Sequence, residues 1–163
     1  MSKTLELVNE FSKKYPSTLR WFRVGAHAKL VDKSLHPGEQ VLFAFAAQWN
    51  EHDGDWFDTA IMALTNERLI IAQNRLLIGF RIVSVTPELF NDVSVRAGVI
   101  WGSVTIDTVK EKIDFTNVSK KALLEIKKVV SSYMMEYKKN RKSNTNNNED
   151  VTEVELNNDD KCC

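Results

Sequence analysis

The spacing of apolar residues along the chain predicts two helices at the N-terminus. Residues 2–14 and 17–33 carry apolar side chains every three or four positions, which is the period of an amphipathic helix. Ser2 or Thr4 suits the N-cap of the first helix, whereas Pro16 ends that helix and suits the first turn of the second. The N-terminal segment is therefore predicted to be a helical hairpin.

After Gly38 the apolar period shortens from between three and four residues to two, which indicates β-strands. Polar or glycine-containing turns separate the strands, and Pro87 ends the fourth of them. Short strands with close turns are typical of an antiparallel barrel or sandwich. The seven predicted strands cover residues 41–49, 56–64, 68–73, 76–85, 93–97, 99–108 and 112–115.

The last regular element predicted is an amphipathic helix that begins near Asn117 or Ser119 and ends at about Asn140. Its apolar residues again recur every three or four positions, which favours one buried face. We expect this stripe to plug one end of the barrel. It consists of Leu123, Ile126, Val130, Tyr133 and Tyr137.

Charge distinguishes the C-terminal residues from the rest of the chain. The 163 residues include 22 basic and 22 acidic side chains, so the formal net charge is zero. Residues 143–163 hold six of the acids and one lysine, which leaves residues 1–142 with a net charge of +5. This tail is rich in asparagine and lacks aromatic residues, so it is predicted to be disordered. The predicted units are a helical segment 1–34, a domain 35–142 and a tail 143–163.

Several classes of protein are disfavoured by the sequence. No apolar run is long enough for a transmembrane helix, and residues 1–20 lack the uncharged core of a signal peptide. Cys162 and Cys163 are adjacent and terminal, so they build no disulfide framework; they are either unmodified or lipidated. We expect a cytoplasmic location. No catalytic triad, P-loop or dinucleotide fingerprint occurs, so we expect a protein that is not an enzyme and has no cofactor.

Three segments resemble bacterial pleckstrin-homology (PH) domains. Residues 35–41, Leu-His-Pro-Gly-Glu-Gln-Val, resemble the Pro-Gly-Glu turn that enters the first strand of such a domain. Residues 63–72, Ala-Leu-Thr-Asn-Glu-Arg-Leu-Ile-Ile-Ala, are similar to its Leu-Thr-Asn-x-Arg-Leu-Ile hairpin. Residues 98–102, Gly-Val-Ile-Trp-Gly, resemble the turn before its sixth strand. The resemblance covers about residues 38–137 and is strongest to the YokE-like branch of the family.

This resemblance implies a mainly β fold with flanking helices, of the α+β class. Two antiparallel sheets would form a PH-like, seven-stranded, partly open barrel, capped by a C-terminal helix and preceded here by the helical hairpin. It also implies an intracellular, non-enzymatic binding or scaffold module that contacts an unknown protein partner or forms a homo-oligomer. Exposed strand edges or the N-terminal helices would supply the contact. The alternative is a peripheral membrane module.

The loop between the first two predicted strands is acidic, from Asn50 to Asp55. It contains no lysine or arginine, which argues against a phosphoinositide headgroup as ligand. Its carboxylates could hold a cation, but the calcium-loop pattern is incomplete, so we expect a solvated loop and assign no metal. Three nearby aromatic residues are candidates for a partner anchor, with core packing as the alternative. They are Trp49, Trp56 and Phe57.

The last helix carries a basic face that is the candidate site of the alternative function. Such a face could bind anionic lipid, or it could be a solvated surface that the acidic tail screens. Nucleic acid is not expected, because aromatic residues do not interleave with the basic ones. The candidate residues are Lys120, Lys121, Lys127 and Lys128.

The hairpin motif has its own physical interpretation. Thr65 and Asn66 suit a tight turn, because their side chains can bond to nearby backbone amides. Arg68 begins a strand that is apolar on both faces, so we expect it to tie the hairpin to an acidic or carbonyl partner. Ligand binding by Arg68 is the alternative.

Overall fold

A computed structural model describes residues 2–18, 23–50, 59–75 and 79–155. The order of elements is two helices, seven strands and a final helix, as predicted. A single 3-10 turn, Lys120–Ala122, precedes the last helix. The elements are α1 (Lys3–Lys14), α2 (Val24–Ser34), β1 (Val41–Asn50), β2 (Thr59–Thr65), β3 (Leu69–Arg75), β4 (Gly79–Val85), β5 (Phe90–Ala97), β6 (Trp101–Thr108), β7 (Lys112–Ser119) and α3 (Leu123–Glu155).

The seven strands form one antiparallel sheet in the order β4-β3-β2-β1-β7-β6-β5. Strand β1 joins the two halves: it pairs with β2 along most of its length, but with β7 only through Gln48, Trp49 and Asn50. Side chains of both halves share one interior, so the sheet curls through β1 into a partly open barrel. The two sheets of the predicted barrel are thus continuous, and β4 and β5 are its edges.

The barrel interior is filled by aromatic and aliphatic side chains from the strands and from α3. Phe45 and Phe115 meet at the centre with a ring separation of 5.7 Å. Helix α3 closes this core with the predicted stripe, since Leu123, Ile126 and Val130 are buried. Tyr133 and Tyr137, farther along the stripe, are half-buried and stack on each other.

A second core lies on the outer face of β1, β2 and β3, where the helical hairpin packs. Val8 of α1 and Val31 of α2 are completely buried there. The strands present mostly small or β-branched side chains to the helices, which lets helix and sheet approach closely. These strand residues are Val41, Ala44, Ala46, Ile61, Ala63, Ile70 and Ala72. The hairpin therefore covers its own barrel, and both faces of β1–β3 are buried.

The start of the second helix differs from the prediction. Helix α2 begins at Val24 instead of residue 17, and Arg23 precedes it with a left-handed φ of 68°. Residues 19–22, which carry part of the predicted apolar stripe, lie outside the described residues. The segment before them bonds to β7 instead of forming a helix, because the Thr18 hydroxyl accepts from the Ser119 amide at 3.0 Å. Helix α1 fits its prediction, with Ser2 as the N-cap.

The C-terminal elements also differ in length. Strand β7 continues to Ser119, four residues beyond its predicted end at Phe115, so α3 begins only at Leu123. Helix α3 then extends to Glu155, past the predicted boundary at Lys142, whereas we expected disordered chain there. No helix in the described part of the chain is both long and apolar enough to cross a membrane.

Replacing Val130 by Asp should unfold the domain. The Val130 side chain is fully buried against the barrel interior, so a carboxylate there would have no partner. We expect a loss of at least about 4 kcal/mol in the free energy of unfolding. Urea denaturation measures it, with the exposed Ser132→Asp on the same helix as control. An unchanged unfolding midpoint for Val130→Asp would contradict the position of α3.

The part of α3 beyond Lys142 should be less stable than the part that covers the barrel. Residues 143–155 are rich in Asn and Thr, which have low helix propensity. We expect their amides to exchange with solvent at least about a hundredfold faster than those of residues 123–134. Hydrogen exchange followed by mass spectrometry measures this difference. Equal protection of both parts would refute the prediction of a separate tail.

Candidate functional site

A buried carboxylate, Glu39, lies between the turn before β1 and the β2–β3 turn. Its side chain is 0% exposed and pairs with Arg68, whose side chain is 13% exposed. Arg68 donates from Nε to Oε1 and from Nη2 to Oε2 of Glu39, both at 3.0 Å. The Thr65 hydroxyl donates to Oε1 at 2.7 Å, and the His36 amide donates to Oε2 at 2.8 Å. Each carboxylate oxygen thus accepts two hydrogen bonds.

Arg68 extends these contacts to two further elements. Its Nη2 atom also donates to the backbone carbonyl of Ser34 at the end of α2, at 2.8 Å. Its Nη1 atom donates to the Ser84 hydroxyl on β4, at 3.2 Å. The prediction that Arg68 ties the hairpin to acidic and carbonyl partners is therefore confirmed.

The β2–β3 turn is organised by the two side chains predicted for it. The Thr65 hydroxyl accepts from the Glu67 amide at 3.1 Å and from the Arg68 amide at 3.0 Å. The Asn66 carboxamide oxygen accepts from the Gln40 amide at 2.7 Å, which joins the turn to the start of β1. The Pro-Gly-Glu and Leu-Thr-Asn-x-Arg motifs are thus two halves of one hydrogen-bonded junction, which we call the Glu39–Arg68 junction.

The ionisation of Glu39 follows from its surroundings. Burial by itself would raise the pKa of this carboxyl group. The hydrogen bonds from Arg68, from the His36 amide and from Thr65, together with the charge of Arg68, outweigh that effect and hold the pKa of Glu39 below its usual value. The group is therefore a carboxylate at neutral pH.

Three potential metal ligands meet beside this junction: His36, Glu39 and Glu67. The His36 Nδ1 atom lies 2.9 Å from Glu67 Oε2 and 3.6 Å from Glu39 Oε2. A cation would have to displace Arg68, since both Glu39 oxygens already accept hydrogen bonds from its guanidinium. The geometry is that of a structural junction, and we assign no metal to it.

The aromatic candidates have different outcomes. Trp49 is only 4% exposed and belongs to the barrel core, so it is not a surface anchor. The Arg81 guanidinium carbon lies 4.5 Å from the centre of its ring, which covers the remaining face. Trp56 and Phe57 lie outside the described residues, as do the acidic loop positions 51–55. That this loop binds neither a phosphoinositide headgroup nor a metal ion stays a prediction.

The basic candidates are all on the surface. Lys120, Lys121, Lys127 and Lys128 are exposed on the 3-10 turn and the first turns of α3. Leu124, between the two pairs, is 75% exposed. This end of α3 therefore presents a mixed basic and apolar surface.

An exposed apolar turn, missed as a site by the sequence analysis, lies next to these lysines. Strand β6 begins at Trp101, so Val99 and Ile100 form the β5–β6 turn and are 91% and 54% exposed. The Ile100 carbonyl accepts from the Lys120 amide at 3.1 Å, which fixes the turn beside α3. The sequence signal for this surface was a run of three apolar residues between two glycines. We had assigned those three residues to the predicted strand 99–108.

A small groove separates α1 from β1 and the start of α3. It has a volume of about 230 Å³ and an apolar floor that includes Phe11 and Phe43. On its rim, Glu125 accepts from both Lys14 and Tyr15 at 2.5 Å. The hydrogen bonds from Lys14 and Tyr15 lower the pKa of Glu125. These contacts connect the end of α1 to α3. The polar groups of Lys14, Tyr15 and Glu125 are therefore paired with one another.

A family model described as a bacterial PH domain matches residues 35–132. This chain belongs to the bacterial PH domain family. The match confirms the resemblance carried by the two junction motifs.

One solved structure has a similar chain trace. It is a DUF1696 family protein with a pleckstrin-homology domain from Shewanella loihica PV-4. The TM-score is 0.45 at 16% sequence identity, and the alignment covers 69% of this chain and 93% of that chain. No curated protein matches this chain. As a bacterial PH domain, the chain is a binding or scaffold module in the general sense, and domains of this family are generally non-catalytic.

Removing the Arg68 guanidinium should destabilise the domain strongly. Arg68→Ala would leave the buried Glu39 carboxylate without its charged partner, which costs about 3–5 kcal/mol in proteins. Arg68→Lys keeps the charge but loses the paired geometry, so we expect an intermediate loss. Urea denaturation measures both, with the exposed Arg96→Ala as control. A loss for Arg68→Ala no larger than the control's would overturn the structural role.

The Glu39–Arg68 junction should also make stability depend on acid. The glutamate side chain has a pKa of about 4.3 in an unfolded chain, and the pKa of Glu39 is lower in the folded state. The contribution of Glu39 to the free energy of unfolding is therefore present above that pH, and it is lost as the pH falls through the pKa of the folded state. Between about pH 5 and pH 3, the wild type should lose stability more steeply than Glu39→Gln.

Urea denaturation at several pH values tests this expectation. Glu125→Gln serves as comparison, because Glu125 also has a lowered pKa but is partly exposed. Parallel pH profiles for the wild type and Glu39→Gln would show that the junction contributes nothing to acid sensitivity.

Proposed function

We propose that this bacterial PH domain is a non-enzymatic interaction module that associates with a second copy of itself through the free edge of β4. The observation that supports the proposal is an edge strand that lacks the usual protection. Strand β4 pairs with β3 over its full length, from Leu69 opposite Val85 to Arg75 opposite Gly79. Its other side has no partner strand in the described sheet.

Edge strands in soluble proteins are commonly protected by charged residues, proline or bulges. The β4 sequence Gly-Phe-Arg-Ile-Val-Ser-Val contains no proline, and its pairing with β3 is regular. Its one charged residue, Arg81, stacks on the Trp49 ring. Phe80 adds an aromatic side chain that is 66% exposed. This edge offers backbone groups and apolar surface together.

The opposite edge, β5, is protected in the ordinary way. It exposes Asp92 and Arg96, and its register with β6 shifts between Phe90 and Asp92. Helix α3 also packs along β5. We therefore place the contact at β4.

A second copy fits this edge by symmetry. Two β4 strands that pair antiparallel across a two-fold axis present the same groups to each other, so each backbone donor meets an acceptor. A different protein that adds a strand at this edge is the other possible occupant. A cytoplasmic location is part of the proposal.

The proposal predicts a dimer that an edge charge weakens. Phe80→Lys should raise the dimer dissociation constant at least about tenfold, because lysine on an edge strand opposes further pairing. Val109→Lys is the matched control, since Val109 is 65% exposed in the β6–β7 turn, away from β4. Sedimentation equilibrium of the full chain measures both constants.

A wild type that stays monomeric at about 100 µM would refute self-association. A dimer with a dissociation constant above that concentration would be scarcely populated in a cell. Equal dissociation constants for Phe80→Lys and the wild type would exclude the β4 edge as the contact. Circular dichroism must show that the variants fold like the wild type.

A further inference from the structure

The β5–β6 turn is an apolar projection held in one conformation by hydrogen bonds at each side. Val99 and Ile100 at its tip are 91% and 54% exposed, and Trp101 beside them is 40% exposed. The Gly98 amide donates to the Trp101 carbonyl at 2.8 Å, which closes the turn. The Trp101 indole N–H donates to the Ser17 carbonyl at 2.6 Å, which orients the ring.

The turn is also packed tightly against the start of α3. A side chain at Gly102 would place its Cβ 2.5 Å from the Cδ1 atom of Leu123 and would meet the Arg96 carbonyl as well. Only glycine permits this close approach without a shift of its neighbours. The apolar tip and the lysines of the 3-10 turn are therefore held side by side.

The half-sheet that carries this turn has basic but no acidic side chains at its turn end. The exposed basic residues at this end are Arg96, Lys120 and Lys121. The strand register places Arg96 opposite Ser103 and Trp101 opposite Ser119, so β5, β6 and β7 have no acidic residue at this end.

The acids of these strands lie farther from the turn. Asp114 is opposite Thr105 in the middle of β6, and Asp107, near the far end, is opposite Asp92 on one side and Lys112 on the other. Asp107 lies five positions after Gly102 in β6, which is about 17 Å along a strand.

We infer that this turn end is a docking surface for an anionic lipid bilayer. Its residues are Arg96, Val99, Ile100, Trp101, Lys120, Lys121 and Leu124. Exposed aliphatic side chains would enter the lipid, tryptophan suits the interface between headgroups and acyl chains, and the basic residues would attract anionic headgroups. The surface is distinct from the β4 edge, so both can be occupied at once.

Charge and shape favour a bilayer over other occupants. A second copy docked on this surface across a two-fold axis would bring the same basic residues together, which is unfavourable. Binding grooves for peptides and small molecules are concave, whereas Val99 and Ile100 project from the tip of a turn. An acidic protein remains as an outcome of the test.

The experiment is flotation of the full chain with vesicles of phosphatidylcholine alone and of phosphatidylcholine with 30% (roughly a third) phosphatidylserine. We expect binding to the anionic vesicles only, and less at 150 mM (about physiological) salt than at low salt. Each basic residue near such a surface contributes roughly fivefold in affinity, so Lys120→Gln with Lys121→Gln should weaken binding about 25-fold.

Matched variants separate this surface from general attraction. Val99→Ser with Ile100→Ser should weaken binding at least about tenfold, because it removes the apolar tip. The far end supplies the controls. Val109→Ser, and Lys110→Gln with Lys112→Gln, change exposed residues of the same kinds in the β6–β7 turn and at the first position of β7. These controls should bind like the wild type.

Three results would overturn the inference. The first is no flotation with anionic vesicles at low salt, which would leave an acidic protein as the occupant of this surface. The second is equal weakening by the controls, which would show attraction by overall charge. The third is anionic binding that neither the lysine pair nor the apolar pair affects, which would locate the contact elsewhere.

Discussion

The arrangement of this domain depends on one buried ion pair, between Glu39 and Arg68. A carboxylate that is 0% exposed is tolerated only because four donors satisfy it. The same guanidinium reaches the end of α2 through Ser34 and strand β4 through Ser84. Because an unpaired buried charge would be costly, this ion pair fixes the end of the helical hairpin, the start of β1, the β2–β3 turn and β4 relative to one another. Both family motifs contribute to it.

The second constraint is that β1, β2 and β3 are buried on both faces. The barrel interior covers one face, and the helical hairpin covers the other. A strand in this position needs apolar residues throughout, as in Leu69–Ala72, which is completely buried. The hairpin thus completes a core that the strands of the PH domain would otherwise expose.

These two constraints limit where a partner can bind. The broad outer face of the first half-sheet is occupied by the chain itself, and Trp49 is sequestered in the core. The accessible surfaces in the described part of the chain include the β4 edge with Phe80, and the β5–β6 turn with its neighbouring lysines. For a family of generally non-catalytic modules, such edges and turns are reasonable places for contact. The two proposals use separate surfaces of one sheet.

The sequence by itself determined the number of strands, their place among the helices along the chain, the buried stripe of α3 and the structural role of Arg68. These properties follow from local spacing and from the chemistry of single side chains, which the chain carries wherever it packs. Tertiary structure alone decided that the hairpin covers its own barrel, that Thr18 bonds to Ser119 where a helix was predicted, and that Trp49 is buried while Val99 is exposed. Whether a side chain is exposed depends on contacts between residues that are distant in sequence. An apolar residue gives the same spacing pattern in the sequence whether it faces the core or the surface.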